Sequence, residues 1–190
     1  MEIQKFTELM DLAERLKDTP RHSWTSRGRR ESVAEHSWRL ALMGIFMKDE
    51  FPEIQMEKLL KMCILHDMGE AFTGDIPAFE KPKQDSLTEE QALSSWIETL
   101  PSPYKEEFQD LYQEMNCLET LEARVCKALD KMEALIQHNE ADLSTWLPLE
   151  YELQLSYGEK EVQFSEYMKT LKKEVNQISL DKIHKSKRRR

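Results

Sequence analysis

Apolar residues recur along most of this chain at intervals of three and four, the period of a helix with one buried face. From Met1 to Lys17 that face carries Ile3, Phe6, Leu9, Met10, Ala13 and Leu16, and Pro20 marks its end. Ser32, with Glu35 three residues on, forms a capping box for a second helix. Along it Val33, His36, Leu40, Met43 or Gly44, and Met47 face inward, and Pro52 closes the region. A third helix is predicted over Met56–Met68. Its later turns, Met62 to Leu65, are apolar on every side, which places it at the centre of the fold. Two more follow over Leu87–Leu100 and Tyr104–Met115, separated by Pro101 and Pro103. Leu118, Leu121, Val125, Leu129, Met132 and Ile136 then mark a long helix of about five turns. A polar connection with Pro148 and Gly158 leads to a charged last helix, roughly Glu159–Ile178, predicted to cover one side. Arg21–Arg30 and Pro77–Pro82 read as loops. The class is therefore all-α, a helical bundle.

Length and charge narrow the picture further. The 190 residues suit one sizeable core, assigned here to 1–180, and are too few for two ordinary domains. Residues 181–190, ending Lys187-Arg188-Arg189-Arg190, read as a basic, disordered tail. The net charge of −9 argues against a nucleic-acid polymer as partner, since phosphate backbones demand a basic face. No apolar run approaches the ~20 residues of a membrane span. Acids within the first helix do not fit a secretory signal, so a cytoplasmic address is expected. Cys63, Cys117 and Cys126 have no zinc-binding spacing and read as buried thiols of a reducing compartment.

The candidate chemistry centres on Ile64-Leu65-His66-Asp67-Met68-Gly69-Glu70, followed by Thr73-Gly74-Asp75-Ile76-Pro77. A carboxylate at the end of an apolar run is costly to bury, and a divalent cation offsets that cost. His36 faces inward on the second helix and Asp130 lies among apolar positions of the long one, where it too needs neutralising. Two imidazoles and two carboxylates from separate helices suit one divalent ion such as manganese, cobalt, iron or zinc. Arg21 and Trp24 pair a fork of donors with a flat aromatic ring, as recognition of a phosphate on a ring system requires.

The order His36, His66-Asp67, Asp130 is that of the HD-domain metal-dependent phosphohydrolases. Pro20-Arg21-His22-Ser23-Trp24, Glu31 to His36, Leu65 to Ala71, Thr73 to Pro77 and Lys127 to Lys131 resemble the YfbR-type 5′-deoxynucleotidases and their eukaryotic and archaeal relatives. The resemblance runs from about the first helix to about Gln137. It implies an HD-domain bundle in which His36, His66, Asp67 and Asp130 hold one divalent metal. Arg21 would bind phosphate, while Glu70 and Asp75 handle the attacking water and the leaving ribose oxygen. The implied activity is hydrolysis of (deoxy)nucleoside 5′-monophosphates, and a homodimer is implied with it. In the bacterial branch a Trp directly follows the phosphate-binding Arg; here His22 does, with Trp24 later, so sugar selectivity stays open.

Three other readings compete: an HD-type hydrolase of guanosine tetraphosphate or cyclic nucleotides, a di-iron oxygenase, and a non-catalytic nucleotide sensor. The first lacks its motifs and added length here, and the second needs histidines beyond His22, His138 and His184 at suitable spacing. Retention of both Glu70 and Asp75 weighs against the third.

Overall fold

The computed structural model describes residues 1–77 and 83–187. In chain order the elements are α1 (Ile3–Asp18), β1 (Pro20–Trp24), β2 (Arg30–Ser32), α2 (Val33–Ile45), α3 (Met56–Leu65), α4 (Glu70–Thr73), α5 (Lys83–Ile97), α6 (Tyr104–Cys117) and α7 (Leu121–Glu140). A 3-10 turn at Leu143–Thr145, α8 (Glu150–Ser156) and α9 (Glu166–Lys187) complete the chain. The expected helical class holds, with one small addition.

That addition is a two-stranded antiparallel sheet in which Pro20 pairs with Ser32 and Trp24 with Arg30. It replaces the loop expected over Arg21–Arg30. Gly28, at φ +81°, turns the chain, and Arg29 O accepts from Thr25 N at 2.8 Å. Strands of five and three residues are too short to print a period of two. Their consequence is positional: Arg21 is pinned on a ladder instead of waving on a loop.

The core is where α2 and α3 pack on α7. Leu40, Leu59, Met62, Val125, Ala128, Leu129 and Met132 are all wholly buried there. A side chain at Gly44 would meet Leu59 Cδ2 at 3.4 Å, so α2 and α3 approach closely at that point. Truncating Leu129 or Met62 to Ala would cost about 2–5 kcal/mol. The capping box forms as expected: Ser32 Oγ accepts from Glu35 N at 3.3 Å, and Glu35 Oε2 accepts from Ser32 N at 2.9 Å. It fixes the start of α2 one turn before His36.

Several boundaries differ from the sequence reading. Helix α3 stops at Leu65, whose carbonyl accepts from the Tyr112 hydroxyl, so His66 and Asp67 occupy the turn after it. Helix α5 starts at Lys83, four residues before Leu87, and the rest of the Pro77–Pro82 loop lies outside the described residues. Leu118 adopts a left-handed conformation at φ 55° and ends α6; Thr120 then caps α7 through Ala123 N. Helix α8 occupies the expected polar connection, and α9 starts at Glu166 and runs on through Lys187. The tail expected over 181–190 is thus helical as far as Lys187, because Val175, Ser179 and Ile183 continue one buried face. Residues 188–190 lie outside the described residues.

Lys172 on that face is 2% exposed, its amine held by Gln154 O at 3.3 Å, Leu155 O at 3.2 Å and Asn176 Oδ1 at 2.6 Å, which ties α9 to α8. Among the described residues no helix is long and apolar enough to cross a membrane.

Gly158, at φ +76°, carries the chain from α8 across α7, where an added Cβ would sit 2.8 Å from both Lys131 Cβ and Met132 Cε. Gly158→Ala is expected to destabilise the protein by about 1–3 kcal/mol, from backbone strain alone or more with the clash. Thermal unfolding checks this: at about 2–4 °C per kcal/mol, an unchanged midpoint would contradict it.

Candidate active site

Three helical segments deliver four side chains to one point. His36 comes from the first turn of α2, His66 and Asp67 from the turn that ends α3, and Asp130 from the middle of α7. His36 Nε2 lies 3.1 Å from His66 Nε2, 3.7 Å from Asp67 Oδ2 and 3.4 Å from Asp130 Oδ1. His66 Nε2 is 3.0 Å from Asp67 Oδ2 and 3.9 Å from Asp130 Oδ1.

These spacings fit a shared ion. Metal–nitrogen bonds of about 2.0–2.1 Å in a tetrahedron put ligand atoms about 3.4 Å apart. Both imidazoles are held from behind by Nδ1: His36 on the wholly buried Glu133, His66 on Cys63 O at 3.0 Å. With Nδ1–H donating, both Nε2 atoms are turned inward 3.1 Å apart, where either a proton on His36 or a shared metal ion can lie between them.

Glu133 is in turn gripped by Arg39, whose Nε donates to Oε1 at 2.6 Å. Although burial and Arg21 oppose it, the acids Asp130 and Glu133 raise the His36 pKa to about 9, so metal binding displaces a proton. Burial works against the charge of Asp130, but Lys131 and Lys127, at 3.1 and 3.2 Å from Oδ2, hold its carboxyl well below the usual range.

A cavity of about 430 Å³ opens beside these ligands, lined among others by Arg21, Asp67, Glu70, Asp75 and Asp130. Arg21 NH1 reaches Asp67 Oδ2 at 3.3 Å and its Nε faces Glu31 Oε2 at 3.4 Å. Burial opposes its charge, and Asp67 and Asp75 together with Glu133 and Glu70 more than restore it. Asp75 Oδ2 accepts from His22 N at 3.2 Å. Glu70 is 7% exposed, and burial followed by the charges of Asp67 and Asp75 pushes its pKa up to about 10. Burial beside Glu133 likewise lifts Glu31 to about 7.

Seven of the eight residues singled out from the sequence thus meet here. Trp24 does not. Its ring lies under the Arg30 guanidinium, 4.5 Å from the centroid, and its carbonyl accepts from Gln137 Nε2 at 2.6 Å, while His22 and Ser23 continue the cavity wall.

Sequence reasoning missed Glu133, Glu31, Lys127, Lys131 and Glu150 as parts of the site. Glu133 was legible in principle: it stands one turn after Asp130 on the same inward stripe as Leu129 and Met132.

With this geometry in place, the comparisons are specific. The HD domain family pattern matches residues 13–172, and the chain belongs to that family. The chain is 32% identical over 137 residues to the 5′-deoxynucleotidase HDDC2 of Homo sapiens, a match covering 70% of this chain and 66% of that one. The Schizosaccharomyces pombe 5′-deoxynucleotidase hdd1 is 33% identical over 155 residues, covering 72% of this chain and 77% of its own. Against the first of these relatives the chain therefore spans just under two thirds of the length. A conserved hypothetical protein from Pyrococcus furiosus superposes with a TM-score of 0.70 at 31% identity, covering 90% of this chain and 99% of that one. A predicted metal-dependent phosphohydrolase from Magnetospirillum magnetotacticum shares the fold at a TM-score of 0.77 and 24% identity, over 94% and 92% of the two chains.

Two outcomes follow. Glu133→Gln removes the anion that orients His36 and is expected to weaken divalent-metal affinity about 10–100-fold, read by competition with a chelating dye. In metal-free protein, folded Glu70 keeps its proton up to about pH 10 whereas the unfolded carboxyl loses it near 4.5. The folded state then binds the extra proton between those values, and that contribution to stability is lost as pH rises. Glu70→Gln should therefore gain stability relative to wild type between pH 6 and pH 9; urea midpoints with an unchanging gap would refute the assignment.

Proposed function

We propose that the chain is a divalent-metal-dependent phosphomonoesterase that hydrolyses nucleoside 5′-monophosphates, 2′-deoxynucleotides foremost, to nucleoside and phosphate. The observation that carries this reading is the meeting of the two-imidazole, two-carboxylate set with Arg21, Glu70 and Asp75 on one cavity. Its volume, about 430 Å³, suits a single nucleotide rather than a polymer. The names of the similar proteins from Homo sapiens and Schizosaccharomyces pombe agree with it.

His36, His66, Asp67 and Asp130 would hold the ion, and their mixed donor set suits manganese, cobalt, iron or zinc. When bound, such an ion polarises a phosphate oxygen and lowers the pKa of water. The remaining work belongs to the chain. Arg21, fixed on β1 between Glu31 and Asp67, presents its guanidinium to the phosphate. Glu70 keeps a proton in its buried setting and hands it to the leaving ribose oxygen. Asp75, oriented by the His22 amide, takes a proton from the attacking water. Proton exchange from Asp75 back to Glu70 resets the pair.

Purified protein with manganese or cobalt is expected to release phosphate from deoxynucleoside monophosphates. Glu70→Gln should lower kcat about 10²–10⁴-fold with metal content retained, while Arg21→Ala acts mainly on KM. Absence of phosphate release from every deoxynucleoside monophosphate, with either metal, would overturn the proposal.

A further inference from the structure

A second group of potential ligands shares the cavity without belonging to the first. His22 on β1, His138 in the last turn of α7 and Glu150 at the start of α8 place one ligand atom each within 4.8 Å of one another. All three line the cavity. His22 Nε2 stands 2.9 Å from Glu150 Oε1, and His138 Nε2 stands 3.6 Å from the same oxygen.

Each is anchored from behind. Glu150, 3% exposed, has its other oxygen occupied by Leu147 N at 2.6 Å, so Oε1 alone faces the two rings. His22 is fixed by its amide on Asp75 and by the stacking of its ring on His138, centroids 6.1 Å apart. His138 is held by Trp146, whose indole N–H donates to the His138 carbonyl at 3.1 Å and whose ring packs 5.6 Å away.

The hydrogen-bond inventory leaves His138 unexplained. Its Nδ1 is buried with no partner among the described residues, and its Nε2 is past hydrogen-bond reach of Glu150. An ion on Nε2, the nitrogen that faces Glu150, would give the ring one of the partners it lacks. Burial, outweighing the pull of Glu150, holds the ring neutral, the form in which imidazole binds metals. Each nitrogen stands 2.9–3.6 Å from the shared carboxylate oxygen, a spacing found between ligands of one ion with bonds near 2.1 Å, and the side toward the cavity is left for further ligands.

We propose that His22, His138 and Glu150 form a second divalent-cation site, of the class that takes zinc or cobalt, on the wall of the same cavity. Two imidazoles and one carboxylate favour such borderline ions over magnesium or calcium, which prefer all-oxygen shells. The rival use of these residues, hydrogen bonding to the nucleoside part of a substrate, needs no ion and is separated by the test.

The full chain is stripped with a chelator, equilibrated with zinc, freed of excess and counted for metal per chain. Wild type is expected to hold two ions, His138→Ala and Glu150→Gln one each, and Asp67→Asn combined with Asp130→Asn also one. Circular dichroism and thermal unfolding confirm that each variant folds, and Glu150→Gln keeps the Leu147 contact should His138→Ala fail. A cobalt titration adds a second readout: its visible absorption should show two saturating phases in wild type and one in each variant. A count unchanged from wild type in both His138→Ala and Glu150→Gln, or no ion in the two-Asp variant, overturns the proposal. An unchanged count with KM raised in those variants overturns it in favour of nucleoside contact. The two-Asp variant counts the second site with the first disabled, the other variants are read as a difference from wild type, and all are read without substrate. Failure of the phosphatase reading therefore leaves it standing, and its own failure leaves the phosphatase reading intact.

Discussion

The interaction on which the structure depends is the burial of negative charge. Glu31, Asp67, Glu70, Asp75, Asp130 and Glu133 gather around the two imidazoles, against the cationic Arg21, Arg39, Lys127 and Lys131. Six carboxyl groups facing four cations leave an excess of two negative charges in a setting from which water is largely withdrawn. The chain answers that excess with protons, on His36 and on Glu70. A divalent ion would answer it with one particle. The same excess explains why Arg21 and Lys131 are buried without losing charge.

Helix α7 does two tasks with one surface. Leu129, Met132 and Leu135 close the hydrophobic core, while Asp130, Glu133 and Gln137 carry the ligand, its orienting anion and a tether to β1. A rigid, wholly packed helix is a good place for such groups, because side chains locked by their neighbours hold a site within tenths of an ångström. On the other side, the small sheet performs the equivalent service for Arg21 and His22. His36, Asp130 and Arg21 thus stand on regular elements, and His66 and Asp67 on the tight turn that ends α3.

How far this was legible in the sequence follows from the kind of signal each feature leaves. Helical periodicity is printed over many residues, so the class, the capping box at Ser32 and the inward position of His36 could be read directly. The convergence of His36, His66, Asp67 and Asp130 was legible because inward-facing histidines and carboxylates in apolar stripes have few explanations. The sheet was not, since three residues of β2 hold too little pattern, and Trp24 was misplaced with it: its partner Arg30 is set by strand pairing. Helix α8 escaped for a like reason, being seven residues with charged members beside Pro148. His138 and Glu150 lie on segments whose approach to His22 depends on the turn between α7 and α8, a tertiary fact with no local mark.

The contact of His36 with Glu133 joins positions 97 residues apart in the chain. A polypeptide emerging from the ribosome therefore presents His36, His66 and Asp67 well before α7 exists to supply their counterpart. The cluster of His36, His66, Asp67 and Asp130 can be complete only once synthesis has passed Asp130, so its formation waits on α7.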